Sequence, residues 1–446
     1  MSELTELARS VVARARPGEQ VEVYAARGRS TTVRAHEGRV ESLKSGSSAG
    51  VGVRVVFDSR QGFASAGAAD LEIALAMLDE ARENASLAEP DPFVGLVSPD
   101  GVSLPAFGLL DPSLTLLTDQ QRIDMAIEVE RLARSLDSRI EGVRVAAFSD
   151  AWGEAAVVST EGIDVWSDGG SCSVAVSPLA RDGSETQIGS GVDAARAPGL
   201  LDIGRAARDG VERAVSMLGA SKPASGRMAA VFDPRVTASL MGIVAGTLSG
   251  DRVNRGRSPF ADRLGDLVAS QALTLVDDPT DPSSLAADLH DGEGLATRPN
   301  VLIDSGRLDR FLYHSESARR AGTSSTASAV RSSRSTPSVG YQALRMEPGS
   351  STTQQLLADA GEAILIEAIN GIHSGVNAIS GDISVGIQGH MIRDGMICEP
   401  VREATMATTI QRLLFDIVQV GAEVEMLPGG TVTAPLLVES VSISGR

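Results

Sequence analysis

Two histidines lie near the ends of a glycine- and serine-rich stretch, GIHSGVNAISGDISVGIQGH, which covers residues 371–390. Neither His373 nor His390 belongs to an HxH, HxxxH or HExxH pair, and no such pair occurs elsewhere in the sequence. A zinc ion needs three or four nitrogen, sulfur or oxygen ligands at about 2.0–2.3 Å. We therefore expect a loop histidine and a strand-face histidine with hydrogen-bonded partners, and a metal site is the less favoured alternative.

Other patterns that carry chemistry are absent or weak. The sequence has no GxSxG elbow and no Walker P-loop, and GVGVRV (residues 50–55) lies between strand signals, which favours backbone packing over a nucleotide site. The acidic segments LVDDPTDP (275–282) and DLHDGEGL (288–295) could bind calcium or magnesium. Acidic turn residues are usually solvated, and we favour that interpretation.

A basic loop, GDRVNRGRSPFADR, covers residues 250–263. Its side chains Arg252, Arg255 and Arg257 could hold a carboxylate or the acidic face of a partner, because guanidinium groups match the shape of carboxylates. A solvated loop is the default interpretation of such a segment.

Composition excludes several classes of function. The 446 residues carry a formal net charge of −18, which disfavours binding to nucleic-acid phosphates. Cys172 and Cys398 are too few for a four-cysteine zinc site or a disulfide framework, and we expect both in the core or in strands. No apolar run reaches the roughly 20 residues of a membrane helix, and the charged N-terminus does not resemble a signal peptide. We expect a cytoplasmic protein that binds no membrane.

The chain divides at proline- and glycine-rich segments. We expect an N-terminal α+β domain at residues 1–90, a linker at 91–117, a central α+β domain at 118–222 and a C-terminal domain at 223–446. Alternating β-branched runs next to amphipathic segments predict an α+β fold with mixed or antiparallel sheets and flanking helices.

Local signals predict particular elements. Thr118 and Gln121 have the spacing of a capping box, and Asp233 followed by Pro234 is typical of a helix start. The serine- and threonine-rich tract at 322–338 is expected to form a mobile loop, because its composition can bury little apolar surface.

Glycines predict breaks between short strands. The runs QVEVYAARG (20–28), STTVRAHEG (30–38) and RVESLKSG (39–46) read as three strands of the N-terminal domain. In the central domain VRVAAFSD (143–150) and GEAAVVSTEG (153–162) are expected to form two more.

Three segments carry a family resemblance: SLKSGSSAGVGVRVVFDSRQGFAS (42–65), GEGLATRPNVLIDSGRLDRFLYHSESARRAGTSST (292–326) and GVNAISGDISVGIQGHMIRDGMICEPVREATM (375–406). They resemble blocks of the TldD/PmbA family, whose members include zinc metalloproteases and their partner subunits. The resemblance extends over roughly residues 20 to 445. It implies the three-unit architecture of that family.

The metal-binding motif of the catalytic members is missing. Those members carry HExxxH on the helix after the strand that begins their third domain, and Met241, Gly242 and Gly246 stand at the matching positions. They also use a cysteine near the C-terminus, where this chain has EMLPGG (425–430), and Cys398 does not match that position. The resemblance therefore implies the PmbA (TldE) branch, a non-catalytic subunit that binds no metal. Zinc would belong to its partner.

The same resemblance implies a cleft shared with that partner, a TldD-like catalytic subunit in a heterodimer or higher hetero-oligomer. We expect this cleft to be lined by Arg252, Asn254, Arg255, His373, Ser374, Asn377 and Ser380. Ser374, Asn377 and Ser380 could bond a peptide or the partner, or could serve only as turn residues. The expected substrates are unfolded or modified peptides, or peptide-like natural products. The alternative is a self-sufficient hydrolase, or a ligand-binding homo-oligomer that has lost the protease role.

Overall fold

The computed structural model describes residues 2–446, and most of its helices begin where a side chain accepts a free backbone N–H group. The predicted capping box is confirmed, because Thr118 accepts the N–H of Gln121 and the Gln121 side chain accepts the N–H of Thr118. The predicted helix start at Asp233 and Pro234 is also confirmed. The helices in this part of the chain are α1 (Glu3–Val12), α2 (Leu71–Leu87), α3 (Pro112–Thr115), α4 (Asp119–Leu136), α5 (Ile203–Ser216), α6 (Pro234–Thr247), α7 (Gly250–Asn254), α8 (Ser315–Ala321), α9 (Thr353–Ala360), α10 (Ile372–Gly375) and α11 (Ile410–Phe415).

The strands fall into a set of long strands in the first half of the chain and shorter ones in the second. They are β1 (Gln20–His36), β2 (Arg39–Phe57), β3 (Arg60–Ala66), β4 (Ile140–Ser159), β5 (Asp164–Asp182), β6 (Glu185–Ile188), β7 (Gly191–Ala195), β8 (Gly226–Phe232), β9 (Leu275–Asp277), β10 (Asn300–Asp304), β11 (Arg307–Leu308), β12 (Ala329–Val330), β13 (Ser338–Val339), β14 (Leu344–Met346), β15 (Ala363–Asn370), β16 (Asp382–Arg393), β17 (Met396–Thr409), β18 (Ile417–Val420), β19 (Glu425–Met426), β20 (Val432–Thr433) and β21 (Leu436–Ser444).

The first half of the chain forms one antiparallel sheet in the order β3-β2-β1-β4-β5-β6, with β7 beside β5. β1 pairs with β4 from Glu22 to Arg34, so the N-terminal and central segments share a continuous sheet. α1 and α2 bury one hydrophobic cluster against it, and α4 and α5 bury a second.

The predicted strand breaks at Gly28 and before Gly153 are wrong, whereas the predicted break at Gly38 is confirmed, because β1 ends at His36 and β2 begins at Arg39. The two runs before residue 38 form the single strand β1, and residues 143–159 lie within the single strand β4. Gly28 is extended and lies opposite Gly153, where an added Cβ would meet the Trp152 carbonyl oxygen at 3.1 Å. Glycine at this position therefore allows close approach between strands and does not make a turn.

The C-terminal segment contains two six-stranded sheets, β17-β16-β15-β8-β21-β18 and β11-β10-β9-β14-β20-β19. β8 pairs in parallel with β15 and antiparallel with β21, so the first of these sheets is mixed. α6 packs against β15 of one sheet and β20 of the other, and its apolar side chains join the largest buried cluster of the protein. The predicted α+β class with mixed and antiparallel sheets is confirmed.

The serine- and threonine-rich tract does not behave as predicted from its composition. β12 and β13 form a hairpin within it, Ser328 is buried, and the Arg331 side chain is 0% exposed. Arg331 forms an ion pair with Glu22 of β1, which fastens the tract to the N-terminal segment. The prediction from composition was wrong because polar groups that pair with one another can be buried without a large apolar surface.

The acidic segments are only in part solvated turns, because Asp281 makes an exposed turn with Ser283 whereas other carboxylates are buried. Asp277 is buried and its Oδ1 accepts the backbone N–H groups of Gln342 and Ala343 at 2.9 and 2.7 Å. Burial raises the pKa of the Asp277 carboxyl to about 6. Asp291 and Glu293 are buried in the same manner, and Asp291 accepts the N–H of Ala329 at 3.0 Å. These carboxylates therefore organise loops.

Within residues 2–446, no helix has both the length and the apolar content needed to cross a membrane.

Candidate functional site

Helix α6 has a buried face and an open face at the positions matched to the catalytic motif. Met241 is 0% exposed and belongs to the largest hydrophobic core. Gly242 and Gly246 are partly exposed, and four residues in a helix return to the same side. A Cβ added at Gly242 would meet the hydroxyl oxygen of Tyr341 at 3.0 Å, whereas one added at Gly246 would have no atom within 4 Å. The open face of α6 is therefore lined by backbone.

The basic loop after α6 begins with the short helix α7. The N–H of Gly250 donates to the Leu312 carbonyl at 2.7 Å, which holds α7 next to α8. Asn254 donates from Nδ2 to the Ser317 carbonyl at 2.9 Å, so this amide serves the packing of the two helices. Arg252 and Arg255 are exposed, and neither guanidinium has a partner among the described residues.

The segment between β15 and β16 is a turn made by its own polar side chains. Gly371 has a φ of 79°, a left-handed conformation that glycine adopts without a steric cost. Asn377 Oδ1 accepts the N–H groups of Ile379 and Ser380 at 3.0 and 3.2 Å. Ser380 donates to Asp382 at 2.6 Å. The structure therefore gives Asn377 and Ser380 turn roles.

A surface depression of about 590 Å³ brings part of the predicted cleft together. Arg252 lines it from α7, and Ser374 and Asn377 line it from the turn. Ile379 adds an exposed apolar side chain to the rim, and Asp382 adds a carboxylate. The other four predicted cleft residues do not line this depression; they are Asn254, Arg255, His373 and Ser380.

The two histidines of the opening stretch lie in different environments. His373 is exposed on α10, as expected of a loop histidine. His390 lies on β16 and is buried between Glu367, whose carboxylate is 2.6 Å from Nδ1, and the Ser216 carbonyl, which is 3.1 Å from Nε2. Burial alone would lower the pKa of His390, but the Glu367 carboxylate and the carbonyl outweigh it and raise the pKa. The prediction of a strand-face histidine with hydrogen-bonded partners is confirmed.

A cavity of about 410 Å³ lies between α5 and α6, and no sequence pattern predicted it. Arg213, Arg235, Ser239, Glu367 and Gln388 line it. Arg235 directly follows Pro234, the first residue of α6. This predicted helix start is the one feature of the sequence that indicates where a charged side chain of the cavity lies. The remaining lining residues come from segments distant in sequence.

The segment EMLPGG, where catalytic relatives are expected to carry a cysteine, lies near the start of α6. Burial raises the pKa of the Glu425 carboxyl, and the guanidinium groups of Arg235 and Arg205 oppose that shift. Cys398 lies on β17 and its thiol donates to the Met396 carbonyl.

The donor set at the matched positions does not fit zinc. Met241 offers a thioether enclosed in the core, and Gly242 and Gly246 offer no side chain. In the part of the chain that the structure describes, no group of three or more histidine, cysteine, aspartate or glutamate residues could hold a metal ion.

Comparison with known proteins identifies the family. Three domain models match consecutive parts of the chain: PmbA/TldA metallopeptidase domain 1 at residues 21–85, the central domain at 112–218 and the C-terminal domain at 225–445. The chain belongs to the PmbA/TldD metallopeptidase family.

Individual members of the PmbA/TldD family match over nearly the full length. Metalloprotease PmbA of Escherichia coli O157:H7 is 26% identical over 92% of this chain and 88% of its own. The crystal structure of TldE from Thermococcus kodakarensis has a TM-score of 0.87 and 24% identity, and covers 100% of both chains. A proposed modulator of DNA gyrase from Thermotoga maritima has a TM-score of 0.90 and 23% identity, over 98% of this chain and 99% of its own. These two structures share the fold.

Proposed function

We propose that this chain is the non-catalytic, TldE-like subunit of a heteromeric zinc metalloprotease of the PmbA/TldD family. The observation that carries the proposal is the face of α6, where a buried methionine and two glycines stand at the positions of the HExxxH residues. A zinc peptidase needs three protein ligands and a base near an open coordination position. In this proposal the TldD-like partner supplies the metal, the base and the activated water, and this chain binds no metal.

The role of this chain would be to hold the substrate. Arg252 presents a guanidinium without a partner among the described residues, and it shares the depression with Ser374 and Asn377. Asn377 donates no hydrogen bond from its side-chain amide within residues 2–446, so those N–H groups remain available to a peptide carbonyl. Backbone-directed contacts of this kind suit unfolded or modified peptides and peptide-like natural products.

A free sheet edge supports association with another chain. β3 pairs with β2 only from Val51 onward, so residues 39–50 pair with β1 on one side alone. Val40 and Leu43 are exposed on this stretch. A long unpaired edge with exposed apolar side chains readily accepts a further strand. We propose that the catalytic subunit covers this edge.

Zinc analysis and reconstitution test the proposal. The purified chain, freed of chelators, is expected to contain no stoichiometric zinc, and mixing it with a family member that carries HExxxH should give a single heteromeric species by light scattering. About one tightly held zinc per isolated chain would contradict the non-catalytic role. Two separate species at micromolar concentration would contradict the heteromer, and a stable homo-oligomer would favour the self-sufficient alternative.

A charge reversal tests the cleft. Arg252→Glu is expected to lower cleavage of an unstructured peptide by the reconstituted complex at least tenfold, without changing its assembly. Arg257→Glu is the matched control, because Arg257 lies exposed in the same loop and does not line the depression. Equal losses in both variants would show that general loop charge matters, and not a contact at Arg252.

A further inference from the structure

The cavity between α5 and α6 lies at the junction of the central and C-terminal segments. Arg213 reaches it from α5, Arg235 and Ser239 reach it from α6, and Glu367 and Gln388 reach it from β15 and β16. Its volume of about 410 Å³ is within the usual range of roughly 300–1,000 Å³ for small-molecule sites, which favour such junctions. It is separate from the depression at Arg252, since the two share no lining residue.

The guanidinium of Arg235 is incompletely hydrogen-bonded. Its Nη1 donates to the Ser190 carbonyl at 3.2 Å, and its Nη2 lies 3.6 Å from Asp209, too far for a strong hydrogen bond. Its Nε is buried and has no acceptor among the described residues. Burial, and then the nearby Arg213 cation, lower the pKa of Arg235, and the carboxylates of Glu425, Asp233 and Asp209 oppose this shift.

Arg213 provides a second guanidinium in the same cavity. Its Nη2 donates to Asp233 at 3.2 Å, and no other side-chain bond of Arg213 occurs within residues 2–446. Two guanidinium groups that line one cavity match the two oxygens of a carboxylate, because their N–H groups lie in fixed planes.

The opposite wall is polar and carries a negative charge. Glu367 is the extra residue of a β-bulge between Ile366 and Ala368, and bulges redirect side chains away from the regular pleat. One of its oxygens is held by His390. This carboxylate disfavours a dianion in the cavity, so a monoanionic ligand fits better than phosphate. Apolar side chains complete the lining and could receive the group next to the ligand's carboxylate: Ile188, Met217, Val236 and Ile369.

We propose that this cavity binds the carboxylate of a free amino acid or of the C-terminus of a short peptide, held by Arg213 and Arg235. The proposal goes beyond the subunit role, and it does not require the catalytic partner. Binding to the isolated chain therefore tests it whether or not the heteromer forms.

The full chain is titrated by calorimetry with N-acetyl-alanyl-leucine and with its C-terminal amide. The difference between the two affinities gives the contribution of the carboxylate to binding. The acid is expected to bind at least tenfold more tightly than the amide. Free leucine tests the amino-acid source, and binding of leucine alone would assign the site to amino acids. Equal binding of acid and amide, or no saturable binding of the acid or of leucine, would overturn the proposal.

Variants assign the binding to the cavity. Arg235→Gln is expected to remove the preference for acid over amide, and Arg235→Lys should reduce it, because lysine keeps the charge but not the planar pair of donors. Arg227→Gln is the matched control, since Arg227 is exposed on β8 and does not line the cavity. A preference that persists in Arg235→Gln would overturn the assignment, and tighter binding of inorganic phosphate than of the acid would overturn the choice of ligand.

Discussion

Replacing Glu22 by glutamine should destabilise the junction between the N-terminal and C-terminal segments. Glu22 accepts hydrogen bonds from Arg54 Nε and Nη2 at 3.1 and 2.9 Å, and it also pairs with Arg331. Arg54 lies 3.5 Å from Glu293 as well. All four side chains are at most 2% exposed, so two carboxylates and two guanidinium groups balance one another without solvent.

The expected loss follows from the charge that the substitution leaves behind. Glutamine keeps one acceptor oxygen but removes the negative charge, so Arg54 is left with Glu293 at 3.5 Å and Arg331 is left without a carboxylate partner among the described residues. Breaking a buried ion pair by removing one partner costs about 3–5 kcal/mol, because the remaining charge is neither hydrated nor paired. We expect a decrease of this size in the free energy of unfolding at pH 7.

The buried carboxylate of Glu22 also predicts that the stability of the protein depends on pH in the acid range. Burial alone would raise the pKa of the Glu22 carboxyl, but Arg54 and Arg331 outweigh it, so the pKa is lowered in the folded protein. A carboxyl group whose pKa is lowered by folding contributes its full stabilisation at pH values above the ordinary glutamate pKa of about 4.3. This contribution is lost as the pH falls through the pKa of the folded protein. Glu22→Gln should therefore be less sensitive to acid than the wild type.

Urea denaturation followed by tryptophan fluorescence measures the effect, because Trp152 and Trp166 lie in β4 and β5 of the sheet that contains β1. Glu141→Gln is the control, since its ion pair with Arg181 is exposed and such pairs contribute little. A loss below about 1 kcal/mol for Glu22→Gln, or an equal loss for Glu141→Gln, would refute the reasoning.

His390 gives the junction with the central segment a pH dependence of opposite sign. Its pKa is raised, so its contribution is complete below the ordinary value of about 6.5 and is lost as the pH rises through the folded value. By scanning calorimetry, the unfolding temperature should fall more between pH 6 and pH 9 in the wild type than in His390→Gln, and parallel curves would contradict this. Gly246→Ala should stabilise the protein by about 0.5–1 kcal/mol in urea denaturation, because helical alanine replaces glycine in open space, while Gly242→Ala should gain less against the Tyr341 hydroxyl. The triple change Met241→His, Gly242→Glu, Gly246→His should not cleave an unstructured peptide, since residue 241 points into the core; zinc-dependent cleavage by the purified variant would disprove this.

Features that depend on neighbours in sequence were predictable. The cap at Thr118 joins residues three positions apart, and Asp233 bonds a backbone N–H two positions away. Such contacts join residues within a single helical turn, so the local sequence is enough to indicate them. The α+β class was predictable for a similar reason, because the periodicity of apolar residues is a local property.

Strand length and loop burial were not predictable. Gly28 appears in sequence as a break, yet it lies inside β1 because β4 approaches it closely at Gly153. The tract at 322–338 has the composition of a solvated loop, yet Arg331 anchors it at Glu22, 309 residues away. In both cases the deciding partner lies on a distant part of the chain.

The sequence by itself determined the family resemblance and the side chains available on α6, because each follows from residue identity at fixed positions. Only the tertiary structure decided which face of α6 is open and which charges meet. It placed Arg252 beside Ser374 and Asn377, and it brought Arg235 and Glu367 to one cavity. The energy of a buried charge depends on its distance from a partner and on the exclusion of water, and folding fixes both across segments that are far apart in sequence.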